Sequence, residues 1–155
     1  MKTAIIVAAI ALSGAVPAFA GHHESMGQGA AMADGHSQML MAGLLGSNEV
    51  PAGDTDGRGQ FMAWPNAEGQ LCYRLMVTNV ATATMAHIHA GKAGVNGPVI
   101  VPLTTPAGGK SEGCVALPAA TLGAMTATPG DFYINVHNAE FPGGAVRGQL
   151  MSHGM

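Results

Sequence analysis

Charge is scarce in this 155-residue chain, and aromatic rings and cysteines are scarcer still. Only 10% of the residues are charged, and no run or stripe of Lys and Arg appears, which removes the electrostatic footprint of a nucleic-acid-binding protein. There is no Gly-rich phosphate loop, no Ser-His-Asp pattern and no close pair of carboxylates, so the common hydrolytic and phosphoryl-transfer chemistries have no residues to run on. The two cysteines, Cys72 and Cys114, do not form a C-x-x-C pair, and no thiol lies near enough to the histidines to build a blue-copper site. No long stretch carries a helical hydrophobic period, and after the first twenty residues no apolar run reaches the roughly 20 residues a membrane helix needs.

What is present divides along the chain. Residues 1–20 read as a signal peptide: Lys2 gives the positive start, Ala4 to Leu12 the short apolar stretch, and Ala18-Phe19-Ala20 the small-x-small cleavage signature. Cleavage would leave Gly21 at the N-terminus of a periplasmic or secreted product with no transmembrane segment. Five basic residues then stand against nine acidic ones, a formal charge of about −4 with histidine neutral. Residues 21–38 are rich in Gly, Ala, His and Met without a period and read as a flexible tail. Residues 39–151 are the expected domain, and 152–155 a short C-terminal tail.

Within the domain, short alternating or apolar runs recur: Met39 to Leu45, Gln60 to Trp64, Leu71 to Thr78, Met85 to Ala90, Val99 to Leu103, Gly113 to Leu117, Phe132 to His137 and Ala145 to Met151. Turn signals such as Asp56-Gly57, Pro65-Asn66, Glu68-Gly69, Gly108-Gly109 and Pro129-Gly130 separate them. The expectation is an all-β fold, an antiparallel Greek-key-like sandwich or barrel, with one short helix over Pro118 to Met125. In an oxidising compartment Cys72 and Cys114 read as a disulfide closing a loop of about forty residues.

Histidine carries the chemical signal. His87 and His89 lie two apart on an alternating segment and so project from one face of a strand, and His137 ends a second segment of the same kind; each segment runs into a Gly-rich loop. On neighbouring strands the three imidazoles would converge on copper or zinc with an open position. The alternative is a set of structural histidines bonded to loop carbonyls, with Glu49 or Asn135 as partners. Glu49 and Arg147 themselves read as paired or hydrogen-bonded structural charges, and Phe61, Trp64 and Tyr73 as packing.

Asn48-Glu49-Val50-Pro51, His87-Ile88-His89, Asn96-Gly97-Pro98-Val99, Tyr133-Ile134-Asn135-Val136-His137 and Pro142-Gly143-Gly144 with Arg147-Gly148-Gln149-Leu150 occur in an order that closely resembles the CHRD domain, first described in chordin and widespread in bacterial secreted proteins. The resemblance runs from about Leu40 to Leu150 and implies an all-β domain. It departs from the commoner pattern at Asn138, where Thr is often found, and at Ala145, where Glu is frequent. The histidines point to a metal-binding domain with a part in copper handling, whereas the resemblance, by analogy with chordin, implies a non-metal module whose loops bind an extracytoplasmic protein. The His-x-His run is also similar to that of copper–zinc superoxide dismutases, which raises a copper enzyme as a third reading, although only three histidines fall within the domain.

The tail offers a separate metal site. With cleavage after Ala20, Gly21-His22-His23 places an imidazole third from a free amino group, the spacing for a square-planar Cu(II) chelate built from the amine, two amides and the His23 ring. Thioethers at Met26, Met32, Met39 and Met41, with His36 among them, favour Cu(I), and Met151, His153 and Met155 repeat that composition at the other end. Because the chelate is local, acetylating the amino group should abolish its visible square-planar Cu(II) absorption while leaving the domain folded; an unchanged absorption would reject the tail site.

Overall fold

The computed structural model describes residues 38–153. The signal-peptide and tail assignments, including Gly21, His22 and His23, lie outside the described residues. Nine strands run in order β1 Met39–Leu45, β2 Arg58–Pro65, β3 Gln70–Thr78, β4 Ala83–Ala90, β5 Val99–Leu103, β6 Lys110–Ala116, β7 Phe132–Asn138, β8 Val146–Gln149 and β9 Met151–His153, with one helix, α1 Ala119–Ala127, between β6 and β7. The helix begins directly after Pro118, whose fixed backbone suits a helix start. Among the described residues no helix is long and apolar enough to cross a membrane.

The strands form one antiparallel sheet in the order β5-β4-β7-β8-β1-β2-β3-β6, with β9 added to β1. It curls into a nearly closed barrel, as the strand pattern predicts. The run Ala145 to Met151, expected as one strand, is interrupted at Leu150, whose N–H bonds to Phe132 O as the next partner along β7; β8 meets the end of β1 at Leu45 and β9 meets its start over Met39 to Met41, in one register. Strand β9 therefore continues through His153.

Alternation decides which side chains are inside. On β3, Leu71, Tyr73, Leu75 and Val77 point to the core, and Arg74, Met76 and Thr78 point out. On β4 the core side chains are Ala86 and Ile88, and on β7 they are Phe132, Ile134 and Val136. Met125 of α1 is fully buried in the same core. The histidine positions of β4 and β7 thus lie on the outer wall of the barrel.

Cys72 and Cys114 face each other in register on β3 and β6 and are bonded, with S–S 2.02 Å. Strand β6 ends the sheet and pairs only with β3, so the bridge pins an edge strand whose other side has no ladder. The cross-link spans 42 residues of sequence, for which loop-closure entropy gives about 4 kcal/mol. Replacing both cysteines with Ala should lower urea-measured stability by about 2–4 kcal/mol, with amide exchange rising first in β6; a loss below about 1 kcal/mol would show that the edge is held by its ladder alone.

Candidate metal centre

Strands β4 and β7 pair side by side, with Met85 opposite His137, His87 opposite Asn135 and His89 opposite Tyr133. That register assembles His87, His89 and His137 on the outer wall, one ring nitrogen of each lying within 4.8 Å of the others. His87 Nδ1 and His137 Nε2 are 3.2 Å apart. Two nitrogens sharing one tetrahedral ion at bonds of 2.0–2.1 Å stand about 3.4 Å apart, so this pair already has the spacing of common ligands.

Loop carbonyls fix the protons on two of the rings. His89 Nδ1 lies 2.9 Å from Gly97 O, and His137 Nδ1 lies 3.0 Å from Pro142 O. A carbonyl only accepts, so each Nδ1 carries the hydrogen and each neutral ring keeps its lone pair on Nε2. His89 Nε2 is buried without a hydrogen-bond partner. His137 Nε2 faces His87 Nδ1 and, at 3.1 Å, Asn135 Oδ1. The lone pairs of His89 Nε2 and His137 Nε2, fixed by these carbonyls, thus face the cluster, and His87 Nδ1 stands against the second of them. A bound cation satisfies such a set, and backbone carbonyls that orient ligating imidazoles through the other ring nitrogen are the usual support for one.

The loops that provide these carbonyls are held by β8 and by close packing. Arg147 is 1% exposed on the outer wall; it donates to Asn96 Oδ1, Lys92 O and Val95 O, all in the loop that carries Gly97. Its guanidinium carbon sits 3.3 Å from the centre of the Tyr133 ring, while His89 stacks with that ring at 4.6 Å and 9°. Since β7 runs between β4 and β8, Tyr133 stands between the two, with His89 on one side and Arg147 on the other. Gly97 N–H donates to Tyr133 Oη, and any Cβ on Gly97 would fall 1.6 Å from Ala90 O, so only glycine lets the loop press this close to β4.

Burial favours the uncharged forms of His87 and His137. Desolvation lowers the His87 pKa, assisted by His137 and His89. Desolvation likewise lowers that of His137, opposed by the Pro142 carbonyl and assisted by His89. Glu49, 6% exposed, moves the other way: burial lifts it to about 7 against the pull of Arg147, the Asn135 amide and the Val50 backbone. With Oδ1 turned to His137, Asn135 meets Glu49 through its amide nitrogen, and the carboxylate packs so tightly on Gly144 that a Cβ there would lie 2.2 Å from Oε1.

Of the sequence expectations, the three domain histidines are brought together and Asn135 is their polar partner. Glu49 reaches Asn135 rather than a histidine. Arg147 is hydrogen-bonded as expected, through its guanidinium to the 92–96 loop. Two of the rings bond loop carbonyls, as the structural alternative expects; which carbonyls, Gly97 O and Pro142 O, and the Tyr133 stack were not legible, since a backbone carbonyl has no residue identity to signal it. Asn138, at one departure from the common pattern, accepts Phe141 N–H through Oδ1, and Ala145, at the other, is fully buried.

The family model for the CHRD domain matches residues 40–150, most of the chain, and the chain therefore belongs to that family of binding domains. No curated protein and no solved structure matches the sequence.

The buried carboxyl makes a testable contribution to stability. A folded-state pKa near 7 against an ordinary 4.5 means that Glu49 favours folding fully below pH 4.5 and progressively less as pH rises through 7. The depressed histidines have the opposite slope, with stability rising toward the ordinary value of 6.5. Comparing metal-free wild type with Glu49→Gln cancels the histidine part. The variant should gain about 2–4 kcal/mol relative to wild type between pH 5 and pH 8 in urea titrations; a pH-independent difference would refute the buried acid.

Proposed function

We propose that this CHRD-family protein is an exported binding domain that holds copper or zinc through His87, His89 and His137 and serves in copper handling. The observation that carries the reading is the buried, unpaired Nε2 of His89, aimed from a ring whose Nδ1–H is already given to Gly97 O. Most buried polar side-chain atoms have a hydrogen-bond partner, and a bound cation would supply the one this nitrogen lacks. Three imidazoles suit either metal in its divalent state, and Asn135 Oδ1 lies beside them as a neutral oxygen. His87 is only partly buried, which leaves an approach from solvent. The N-terminal Gly21-His22-His23 chelate and the methionine-rich tail add to the copper reading.

Binding without rapid turnover fits the donor set better than catalysis does. The copper–zinc dismutases that share the His-x-His run use a fourth histidine at copper, and among the described residues the cluster has three. Copper-loaded protein should dismutate superoxide no faster than an equal amount of a copper–peptide complex.

Metal analysis of untagged protein isolated from the periplasm, acetylated to silence the tail chelate, should find one tightly held equivalent. His89→Ala should weaken retention by at least about tenfold with an unchanged circular dichroism spectrum. Because burial depresses His87 and His137, occupancy should hold down through pH 6.5 and fall only at lower pH, where protons displace the ion. Equal retention by His89→Ala would leave the interaction-module reading in its place.

A further inference from the structure

A second row of soft donors lies on a different part of the outer wall. Met41 of β1 is directly opposite Met62 of β2 on one side and Met151 of β9 on the other. Partners opposite one another in an antiparallel ladder point to the same face, and the neighbours Leu40, Ala42, Phe61 and Ala63 are core residues, so the three thioethers share the outer face at one level. One step along, Met39 is opposite His153 on that same face. Met41, Met62, Met151 and His153 together line a groove of about 350 Å³. Met151 is 57% exposed and Met41 and Met62 are half-buried.

Outward positions on a solvated sheet ordinarily carry polar side chains. Here they carry sulfur. Side chains opposite one another on adjacent strands have Cβ atoms about 5 Å apart, and three rotatable bonds let each methionine bring its sulfur toward the middle strand. The cation nearest in register, Arg74 opposite Met62, is turned to Glu112 at 3.5 Å on its other side. Three adjacent neutral thioethers, with the one carboxylate of the row, Glu112, two strands beyond Met62 and paired to Arg74, match a soft monovalent ion and disfavour a hard or strongly hydrated divalent one.

We propose that Met41, Met62 and Met151 form a thioether site for Cu(I). The site is separate from the imidazole cluster and stands whether or not that cluster binds metal. A thioether has no proton to lose, so ion binding there is independent of pH in the range where imidazoles protonate.

The test is a titration of the full exported chain, labelled with 13C at the methionine methyl groups, with Ag(I) as a redox-inert stand-in and then with Cu(I) under anaerobic conditions. The signals of Met41, Met62 and Met151, assigned through single Met→Leu variants, should move together and saturate at one equivalent. They should do so at pH 5 as at pH 7, in the His87→Ala/His89→Ala variant as in wild type, and not with Zn(II). The Met41→Leu/Met62→Leu/Met151→Leu variant, which keeps the apolar surface, should lose at least about tenfold in Ag(I) affinity. Movement confined to other methionines, drift without saturation, or unaltered affinity in the triple variant would each overturn the site.

Discussion

A guanidinium stays charged at any pH a protein meets, and Arg147 holds one at 1% exposure on the outside of a barrel wall with no carboxylate within salt-bridge distance among the described residues. Its solvation has to come from elsewhere. Tyr133 supplies a ring face, and the loop between β4 and β5 supplies the Lys92 and Val95 carbonyls and the Asn96 side chain. Asn96 in turn donates to Val50 O, which ties the loop carrying Glu49 to the same anchor. Gln149, two residues along β8 on the same face, adds bonds to Gly91, Gly130 and Phe132 carbonyls. One buried cation thereby gathers the loops over the wall, and the position of Gly97 O, hence the tautomer of His89, follows from it.

The same anchoring sets the electrostatic character of the cluster. Loops closed over β4 and β7 remove water, which is why the largest influence on His87, His137 and Glu49 is burial in every case. Each group is pushed toward its uncharged form. The fixed positive charge of Arg147 lies across the Tyr133 ring from His89. A neutral imidazole whose Nδ1–H is already given to a carbonyl, as in His137, presents Nε2 to an ion with no proton to remove.

Much of the fold was legible because it rests on side-chain period. Leu71, Tyr73, Leu75 and Val77 announce a strand and its inner face, and the His-x-His spacing announces that two imidazoles share a side. The sequence could not say that this side is the outer wall, since Ala86 and Ile88 alternate with the histidines as plausibly toward either surface. Nor could it show the interruption at Leu150 between β8 and β9. The methionines near the two ends of the domain looked like repeated composition. Only the pairing of β9 with β1 turns Met151 and Met41 into neighbours.

Placing donors on the outer wall has a consequence for how this domain could vary. The inward faces of β4 and β7 carry Ala86, Ile88, Ile134 and Val136, all at or near zero exposure, while the imidazoles stand on the opposite side of the same two strands. Removing an imidazole therefore opens no cavity in the core, where the cost of a large-to-small change would be about 2–5 kcal/mol. It leaves a loop carbonyl, Gly97 O or Pro142 O, without its donor, at a position water can reach once the ring is gone. Removing Arg147 is different in kind, since several loop acceptors and the face of Tyr133 lose their partner together. Ligand identity is consequently loosely coupled to folding in this architecture, and loop anchorage is tightly coupled to it. The barrel core and the arginine define the scaffold, and the outward positions of its strands are free to carry whichever donors an ion requires.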